Sequence, residues 1–122
     1  MSKWANDLVM DAALDYIAGA TVMHACTALD ATPTLAEVQA ASLADVALAG
    51  GDFTKADGDT NGRKVTIAAK SGVTVDASGT AVNIALVDGS VCRYYTSCTS
   101  QALTAANTVN FPAWDVELSD PV

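Results

Sequence analysis

The sequence predicts a mainly β fold: an antiparallel β-sandwich or small barrel, with an N-terminal amphipathic helix and one short helical segment. Small and β-branched residues are abundant, and aromatic residues make up only 6% of the chain. This composition favours packed sheets over a helical bundle. In the second half of the chain, turn signals recur roughly every eight to twelve residues, as in sandwiches and small barrels. Residues 81–99 hold two β-rich runs around Asp88-Gly89-Ser90, and Asp-Gly favours a tight hairpin turn.

A single domain is expected over residues 1–122, with a helix over about 3–18 and a β-rich body over about 21–119. Apolar residues recur at helical spacing in two adjacent rows: Trp4, Leu8, Ala12 and Tyr16; Ala5, Val9, Ala13 and Ile17. Ser2 is the expected N-cap and Gly19 the expected stop. The aspartates spaced by four are expected to line a solvated face: Asp7, Asp11 and Asp15. This helix is expected to pack on the sheet or to dock on a neighbouring subunit.

The elements after this helix follow from alternation and turn residues. Residues 21–27 predict a strand, and 34–43 a short helix, because Thr34 and Glu37 fit a capping box. Its inward residues would be Leu35, Val38 and Ala41. An edge strand at 45–49 and a polar turn at 55–62 follow. The remaining strands are expected at 64–69, 73–76, 81–88, 91–99, 102–103, 108–111 and 114–118, with an edge bulge or a bend at Pro112.

Charge and hydropathy exclude several classes of partner. The formal charge is −8, and the six basic residues form no patch in the sequence, so we expect no nucleic-acid binding. No apolar run reaches the ~18 residues of a membrane span, and residues 1–7 do not resemble a signal peptide. We therefore expect a cytoplasmic protein that does not bind membranes. Cys26, Cys92 and Cys98 are expected to be free thiols, with the last two on one face of a strand but too far apart to bond.

The residues show no assembled catalytic centre, so we expect no enzymatic activity, catalytic residue or cofactor. Asp57, Asp59 and Asn61 match the first half of a calcium loop, but Ala68 stands where the bidentate Glu belongs, leaving only a weak calcium candidate. His24, the only histidine, shares a strand face with Cys26 at a spacing too wide for a nucleophile pair.

Large aromatic and aliphatic side chains are the candidates for contacts with other proteins. Tyr94 and Tyr95 would face opposite sides of their strand, one in the core and the other exposed. Trp4 and Trp114 are expected in the core or at subunit contacts. Together with Leu8 on the helix, these four aromatic residues form the set of interface candidates.

A series of strand and turn motifs also occurs in a characteristic order along most of the chain. They are Trp4-Ala5-Asn6-Asp7-Leu8, Gly51-Asp52-Phe53-Thr54, Ala56-Asp57-Gly58-Asp59, Gly62-Arg63-Lys64-Val65-Thr66-Ile67-Ala68-Ala69, Val73-Thr74-Val75-Asp76-Ala77-Ser78-Gly79-Thr80-Ala81, Ala85-Leu86-Val87-Asp88, Leu103-Thr104-Ala105, Asn107-Thr108-Val109-Asn110 and Trp114-Asp115-Val116-Glu117. This order resembles a group of small virion proteins of tailed bacteriophages and prophages, the head decoration (cement) proteins and related head-fibre and capsid-associated proteins.

The resemblance implies a β-sandwich or barrel on the capsid exterior, assembled in the host cytoplasm. Such a module is usually a trimer that bridges major capsid proteins and stabilises the shell. No catalytic signature and no individual binding residue carries over. The alternative is a head-fibre or tail-associated module that binds a host-surface receptor through loops at residues 56–62 and 77–80, although those loops lack aromatic residues.

Overall fold

Antiparallel strands arranged in two facing layers form the body of the protein in the computed structural model, which describes residues 6–59 and 62–118. In chain order the elements are α1 (Asp7–Ala18), β1 (Val22–Cys26), α2 (Leu35–Ala41), β2 (Ser42–Ala47), a single 3₁₀ turn (Gly50–Asp52), β3 (Phe53–Asp57), β4 (Arg63–Ile67), β5 (Lys70–Thr74), β6 (Gly79–Val87), β7 (Cys92–Leu103), β8 (Thr108–Phe111) and β9 (Trp114–Leu118). The mainly β class and both helices are confirmed, and the described sheets do not close into a barrel.

The larger layer is a four-stranded antiparallel sheet in the order β2-β1-β6-β7. Its longest pairing is the β6–β7 hairpin, which the Asp-Gly signal predicted and which the Asp88 N–H closes by donating to the Val91 carbonyl over 3.0 Å. Strand β7 runs on to Leu103, so residues 102–103 continue this strand and do not form the separate strand that was expected. The length of β6 explains the difference, because its first residues pair with the end of β7.

The facing layer consists of a three-stranded sheet, β3-β4-β9, and a two-stranded sheet, β5-β8. Pro112 lies between β8 and β9, which pair with different partners, so the predicted bend at Pro112 is confirmed. A bridge between Ala44 and Val75 joins the β2 side of the larger sheet to the segment that follows β5.

Two predicted turns in this layer are strands instead. Residues 53–57 form β3, because every residue from Phe53 to Asp57 pairs with β4. Strand β5 begins at Lys70, where a polar turn was expected, and pairs with β8 through an irregular register. Gly72 accommodates that irregularity with a φ of 68°, which side chains disfavour, and its N–H donates to the Asn110 side chain over 2.9 Å.

The main core lies between the two layers and under α1. The larger sheet contributes Met23 and Leu86, the facing layer contributes Val65 and Phe111, and α1 contributes Leu14. A second, smaller cluster lies on the other side of the larger sheet, where α2 covers it. Its buried members are Cys26, Val38, Ala85 and Val87. The larger sheet is therefore buried on both faces, which agrees with the nearly continuous burial of β1.

A bulge in β7 changes the expected placement of its cysteines. Val87 pairs with Cys92 and Leu86 pairs with Tyr94, so Arg93 is the extra residue and the alternation of faces shifts there. Cys92 packs against the cluster on the α2 side, whereas Cys98 lines a groove with Phe111 on the side of the main core. The expectation that both cysteines share one face was therefore wrong, whereas all three cysteines are free as expected.

Candidate functional site

Helix α1 is held on the body by a narrow apolar contact. Asn6 is its N-cap, accepting a hydrogen bond from the Leu8 N–H over 2.9 Å, whereas the predicted cap, Ser2, lies outside the described residues. Its buried residues are Met10, Leu14 and Ile17, spaced by four and three and therefore on one stripe. Leu14 and Ile17 join the main core, which fixes the helix beside β3, β4 and β7.

The side chains that α1 exposes are apolar. Five residues exposed to solvent form what we call the outer face of α1: Leu8, Val9, Ala12, Ala13 and Tyr16. The exposed fractions of the large ones are 74% for Leu8, 63% for Val9 and 54% for Tyr16. Val91 is the one other large hydrophobic side chain that the described residues expose. Exposed apolar surface is therefore concentrated on one helix, and such concentrations mark sites of contact with other molecules.

Asp11 and Asp15 of α1 form ion pairs with the β3–β4 hairpin, and of the predicted solvated row the Asp15 side chain is 59% exposed whereas Asp11 is mostly buried. The Asp11 Oδ1 accepts from the Arg63 Nε over 2.9 Å, and the Asp15 Oδ1 accepts from the Lys55 Nζ over 2.6 Å. Arg63 also donates to the Asp57 Oδ1 over 2.8 Å. Its hydrogen bonds to Asp11 and then Asp57 raise the pKa of Arg63 above its usual value. The basic residues of the β3–β4 hairpin therefore attract the acidic side of the helix inward.

Arg93, the bulged residue of β7, holds the other end of α1. Its guanidinium lies over the Tyr16 ring, 4.2 Å from the ring centroid, and also donates to the Tyr16 carbonyl. A Cβ on Gly19 would lie 2.5 Å from the Arg93 Nη1, so the glycine leaves room for this approach. These contacts fix one side of the Tyr16 ring while the rest of the ring stays exposed.

Asp88 in turn orients Arg93. The Arg93 Nε donates to the Asp88 Oδ2 over 2.7 Å. The other oxygen of Asp88 accepts from the Ser90 and Val91 N–H groups over 2.6 and 2.8 Å. The hydrogen bonds from Val91, Ser90 and Arg93, in that order, lower the pKa of Asp88 to about 2. The hairpin turn that the Asp-Gly signal predicted therefore also positions a cation against the helix.

The two apolar rows predicted for α1 lie mostly on the exposed side of the helix. Among described residues of those rows, Leu8, Ala12 and Tyr16 are exposed and Ile17 is buried, while Trp4 lies outside the described residues. The sequence reasoning also missed Arg63 and Lys55 as partners of the helix. The signal that could have found them is the row of aspartates, because a row of acids next to a basic hairpin has a reason to face it.

The two described carboxylates of the weak calcium candidate, Asp57 and Asp59, form ion pairs with basic side chains. Asp57 contacts Arg63, and the Asp59 Oδ1 accepts from the Lys64 Nζ over 2.7 Å. Asn61 lies outside the described residues. No group of three or more histidine, cysteine or carboxylate side chains that could hold a metal ion occurs within residues 6–59 and 62–118.

His24 is placed beside a serine that the sequence reasoning did not consider. The His24 Nδ1 and the Ser42 Oγ are 2.8 Å apart, and the Ser42 hydroxyl also donates to the Ala44 carbonyl over 3.4 Å. A surface cavity of about 360 Å³ is lined by His24 and Asp45 but not by Ser42. The hydroxyl is therefore not presented to the cavity, and the pair stabilises the β1–β2 pairing. Burial lowers the pKa of His24, an effect that Asp45 and Asp76 partly oppose.

The aromatic interface candidates of the sheets are packed inside the protein. Tyr94 and Tyr95 face opposite sides of β7, as expected. Tyr94 packs against the main core and Tyr95 against the smaller cluster. Both are half-buried, so the expectation that one of them is exposed was wrong. Trp114 stacks on Tyr94 with ring centroids 6.2 Å apart. Beside them is a groove of about 160 Å³ lined by Cys98 and Pro112 among others. The buried Trp114 Nε1 has no hydrogen-bond partner among the described residues.

Comparison with known proteins finds no match for this chain among family models, curated proteins or solved structures. Within the described residues, no helix has the length and apolar character needed to cross a membrane. Among the described residues, exposed large apolar side chains are concentrated on the outer face of α1.

Proposed function

We propose that this chain is a structural virion protein that decorates the outside of a bacteriophage capsid and stabilises the shell of major capsid protein. In this proposal it is assembled in the host cytoplasm and acts as a homo-oligomer, a trimer by analogy with the proteins that it resembles. No catalytic role and no cofactor form part of the proposal.

The observation that carries the proposal is the outer face of α1. On a chain with a formal charge of −8, this face presents the exposed apolar side chains of Leu8, Val9 and Tyr16. Such a surface is suited to permanent contact with other protein, because covering it removes apolar area from water. This supports a structural role, since the helix is rigidly attached to a sheet body that is itself buried on both faces.

The same surface favours the decoration role over receptor binding by a head-fibre or tail module. Receptor binding was expected to use loops at residues 56–62 and 77–80, whereas the exposed large apolar side chains lie on α1 and at Val91. In the described part of the first loop, Asp57 and Asp59 are engaged with Arg63 and Lys64. These two carboxylates are therefore already paired within the protein.

Binding to capsid shells tests the proposal directly. Expanded shells lacking this protein are mixed with the purified chain, and the complex is imaged by cryo-electron microscopy while the temperature of shell disruption is measured. We expect density at regular lattice points on the outer surface and a higher disruption temperature. Absence of binding to expanded shells, or co-purification with tails instead, would overturn the decoration role.

A further inference from the structure

We propose that the surface cavity beside His24 binds a primary ammonium group carried on an alkyl chain, either a lysine side chain of another protein or a small free amine. This site goes beyond the decoration role and is independent of it, because no contact with a capsid is needed to form it.

The cavity lies between α2 and the turn of the β6–β7 hairpin, on the face of the larger sheet that α2 covers. Gln39 of α2 and Gly89 of the turn are among its lining residues. Its volume is about 360 Å³, which falls within the range of small-ligand sites. Val22 and Val87, which also pack in the smaller cluster, give it apolar lining. An alkyl chain can therefore be taken out of water here.

His24 presents an unpaired hydrogen-bond acceptor to this cavity. Its side chain is only 6% exposed, and its Nδ1 lies 2.8 Å from the Ser42 Oγ. The Ser42 hydroxyl donates its one proton to the Ala44 carbonyl, so Nδ1 donates to Oγ and Nε2 carries the lone pair. Ser42 does not line the cavity, so the opposite edge of the ring, which carries Nε2, faces it. Within the described residues, Nε2 has no hydrogen-bond partner.

The imidazole is uncharged in neutral solution and can therefore accept a hydrogen bond. Burial lowers the pKa of His24, and this effect outweighs the opposing charges of Asp45 and Asp76. A charged imidazole would donate from both nitrogens and would repel a cation, whereas the neutral ring attracts a donor.

Asp45 supplies a carboxylate next to this ring. It stands directly opposite His24 in the β1–β2 register and lines the same cavity. Asp88 lines the cavity as well, but both of its oxygens already accept hydrogen bonds. The basic residues that the structure describes are all paired with carboxylates other than Asp45, namely Lys55, Arg63, Lys64, Lys70 and Arg93. The described part of the chain therefore provides no cation for Asp45, and a net charge of −8 attracts cations from solution.

Two acceptors beside an apolar lining select the class of ligand. A primary ammonium has three donors and no acceptor, so it can donate to the His24 Nε2 and to the Asp45 carboxylate while its alkyl chain lies on the valines. A metal ion would need more ligands, and no group of three or more histidine, cysteine or carboxylate side chains that could hold one occurs among the described residues. An anion would meet the Asp45 charge without a basic side chain in the lining to offset it.

Titration of the full chain with small amines tests the site. The probes are n-butylamine, cadaverine and Nα-acetyl-lysine methylamide, and the ring signals of the single histidine are followed by nuclear magnetic resonance at about pH 7.5. We expect saturable changes of these signals, with dissociation constants on the order of 1 mM for such small ligands. The uncharged analogue n-butanol should bind much more weakly, because it lacks the charge that pairs with Asp45.

Two aspartate-to-asparagine variants separate a direct contact from the general effect of charge. Asp45→Asn removes the carboxylate that lines the cavity, whereas Asp76→Asn removes a charge that also acts on His24 but does not line the cavity. Both side chains are exposed, so both variants should fold, which circular dichroism checks. We expect amine binding to weaken at least about tenfold in Asp45→Asn and less than about twofold in Asp76→Asn.

The outcomes distinguish the ammonium site from its alternatives and identify the source of the ligand. Absence of saturable changes for every amine up to about 30 mM, equal binding of n-butanol, or equal losses in the two variants would overturn the proposal. Nα-acetyl-lysine methylamide that binds at least as tightly as n-butylamine would support the proposal with a lysine side chain as the source. Binding of the free amines alone would support it with a small molecule as the source.

Discussion

Helix α2 turns its apolar side inward and its polar side to solvent. Helix α1 instead presents apolar side chains to solvent and pairs Asp11 and Asp15 with the neighbouring strands. In α2, Val38 is fully buried in the smaller cluster, and Leu35 and Ala41 pack around it. Its start is fixed by a capping box in which the Thr34 Oγ1 accepts from the Glu37 N–H over 3.2 Å. In α1, a short apolar stripe and a set of ion pairs share the attachment.

The difference indicates that α2 serves to complete the fold, whereas α1 also offers a surface for contact with a partner. A helix that only completes a fold gains most by burying all of its large apolar side chains, as α2 does. A helix that turns charged groups toward its own protein leaves apolar surface outside, and this arrangement is favourable when another molecule covers that surface. Substitutions on the five-residue outer face of α1 should therefore affect contact with a partner while leaving the stability of the fold nearly unchanged.

The largest expected effect comes from the buried stripe of α1. Leu14→Ala should lower the free energy of unfolding by about 3 kcal/mol, because Leu14 is fully buried in the main core. Leu8→Ala, the matched change on the outer face, should alter it by less than about 0.5 kcal/mol in the monomer. Both are measured by urea unfolding at protein concentrations low enough that association does not contribute. Equal effects at the two leucines would contradict the assignment of the faces.

A smaller effect is expected at the start of α2. Thr34→Ala removes the side chain that caps the helix and should cost about 1 kcal/mol, because an N–H in the first turn loses its acceptor. Thr34→Ser retains the hydroxyl and serves as the control. Because α2 has no exposed apolar face to cover, the mass of the oligomer should not change in either variant. A change of mass would show that α2 also takes part in assembly.

Much of the sheet architecture could be predicted from the sequence. Alternation and the Asp-Gly turn predicted the β6–β7 hairpin, and β8 and β9 have the predicted bounds. The Thr34–Glu37 capping box predicted α2 because a local hydrogen-bond pattern determines where it begins. The failures involve long-range pairing: residues 55–57 were predicted to lie in a polar turn yet belong to β3, since β4 offers a complete ladder of partners.

The orientation of α1 could not be predicted from the sequence, because apolar residues occur all around this helix. Periodicity alone left the Leu8 row either on the sheet or on a neighbouring subunit, whereas the structure buries the stripe of Met10, Leu14 and Ile17. The choice is made by groups distant in sequence, namely Arg63 and Lys55 on the hairpin and Arg93 at the β7 bulge. Such a bulge depends on strand register, which the local pattern does not reveal.

Moderate acid should weaken the side of the larger sheet that α2 covers. Burial lowers the pKa of His24 below its usual 6.5, so the unfolded chain binds more protons than the folded one as the pH falls through that value. The contribution of His24 to stability is therefore complete above pH 6.5 and is lost below it, toward the folded pKa. Urea unfolding between about pH 7.5 and 5 should show this decline in the wild type but not in His24→Gln. His24 is the only histidine, and an identical slope in both proteins would contradict its role.

Stronger acid should act instead on the contacts that hold α1. The hydrogen bonds from Val91, Ser90 and Arg93 lower the pKa of Asp88 from 3.8 to about 2, so the folded chain resists protonation there. The stability that Asp88 contributes is present above pH 3.8 and is lost as the pH falls toward about 2. Stability measured by thermal unfolding across this window should decline less steeply in Asp88→Asn than in the wild type. The effect should be the smallest of the four because the carboxylate lies near solvent. An unchanged slope in Asp88→Asn would mean that this hairpin does not hold Arg93 against α1, and the fixed position of Tyr16 would then need another cause.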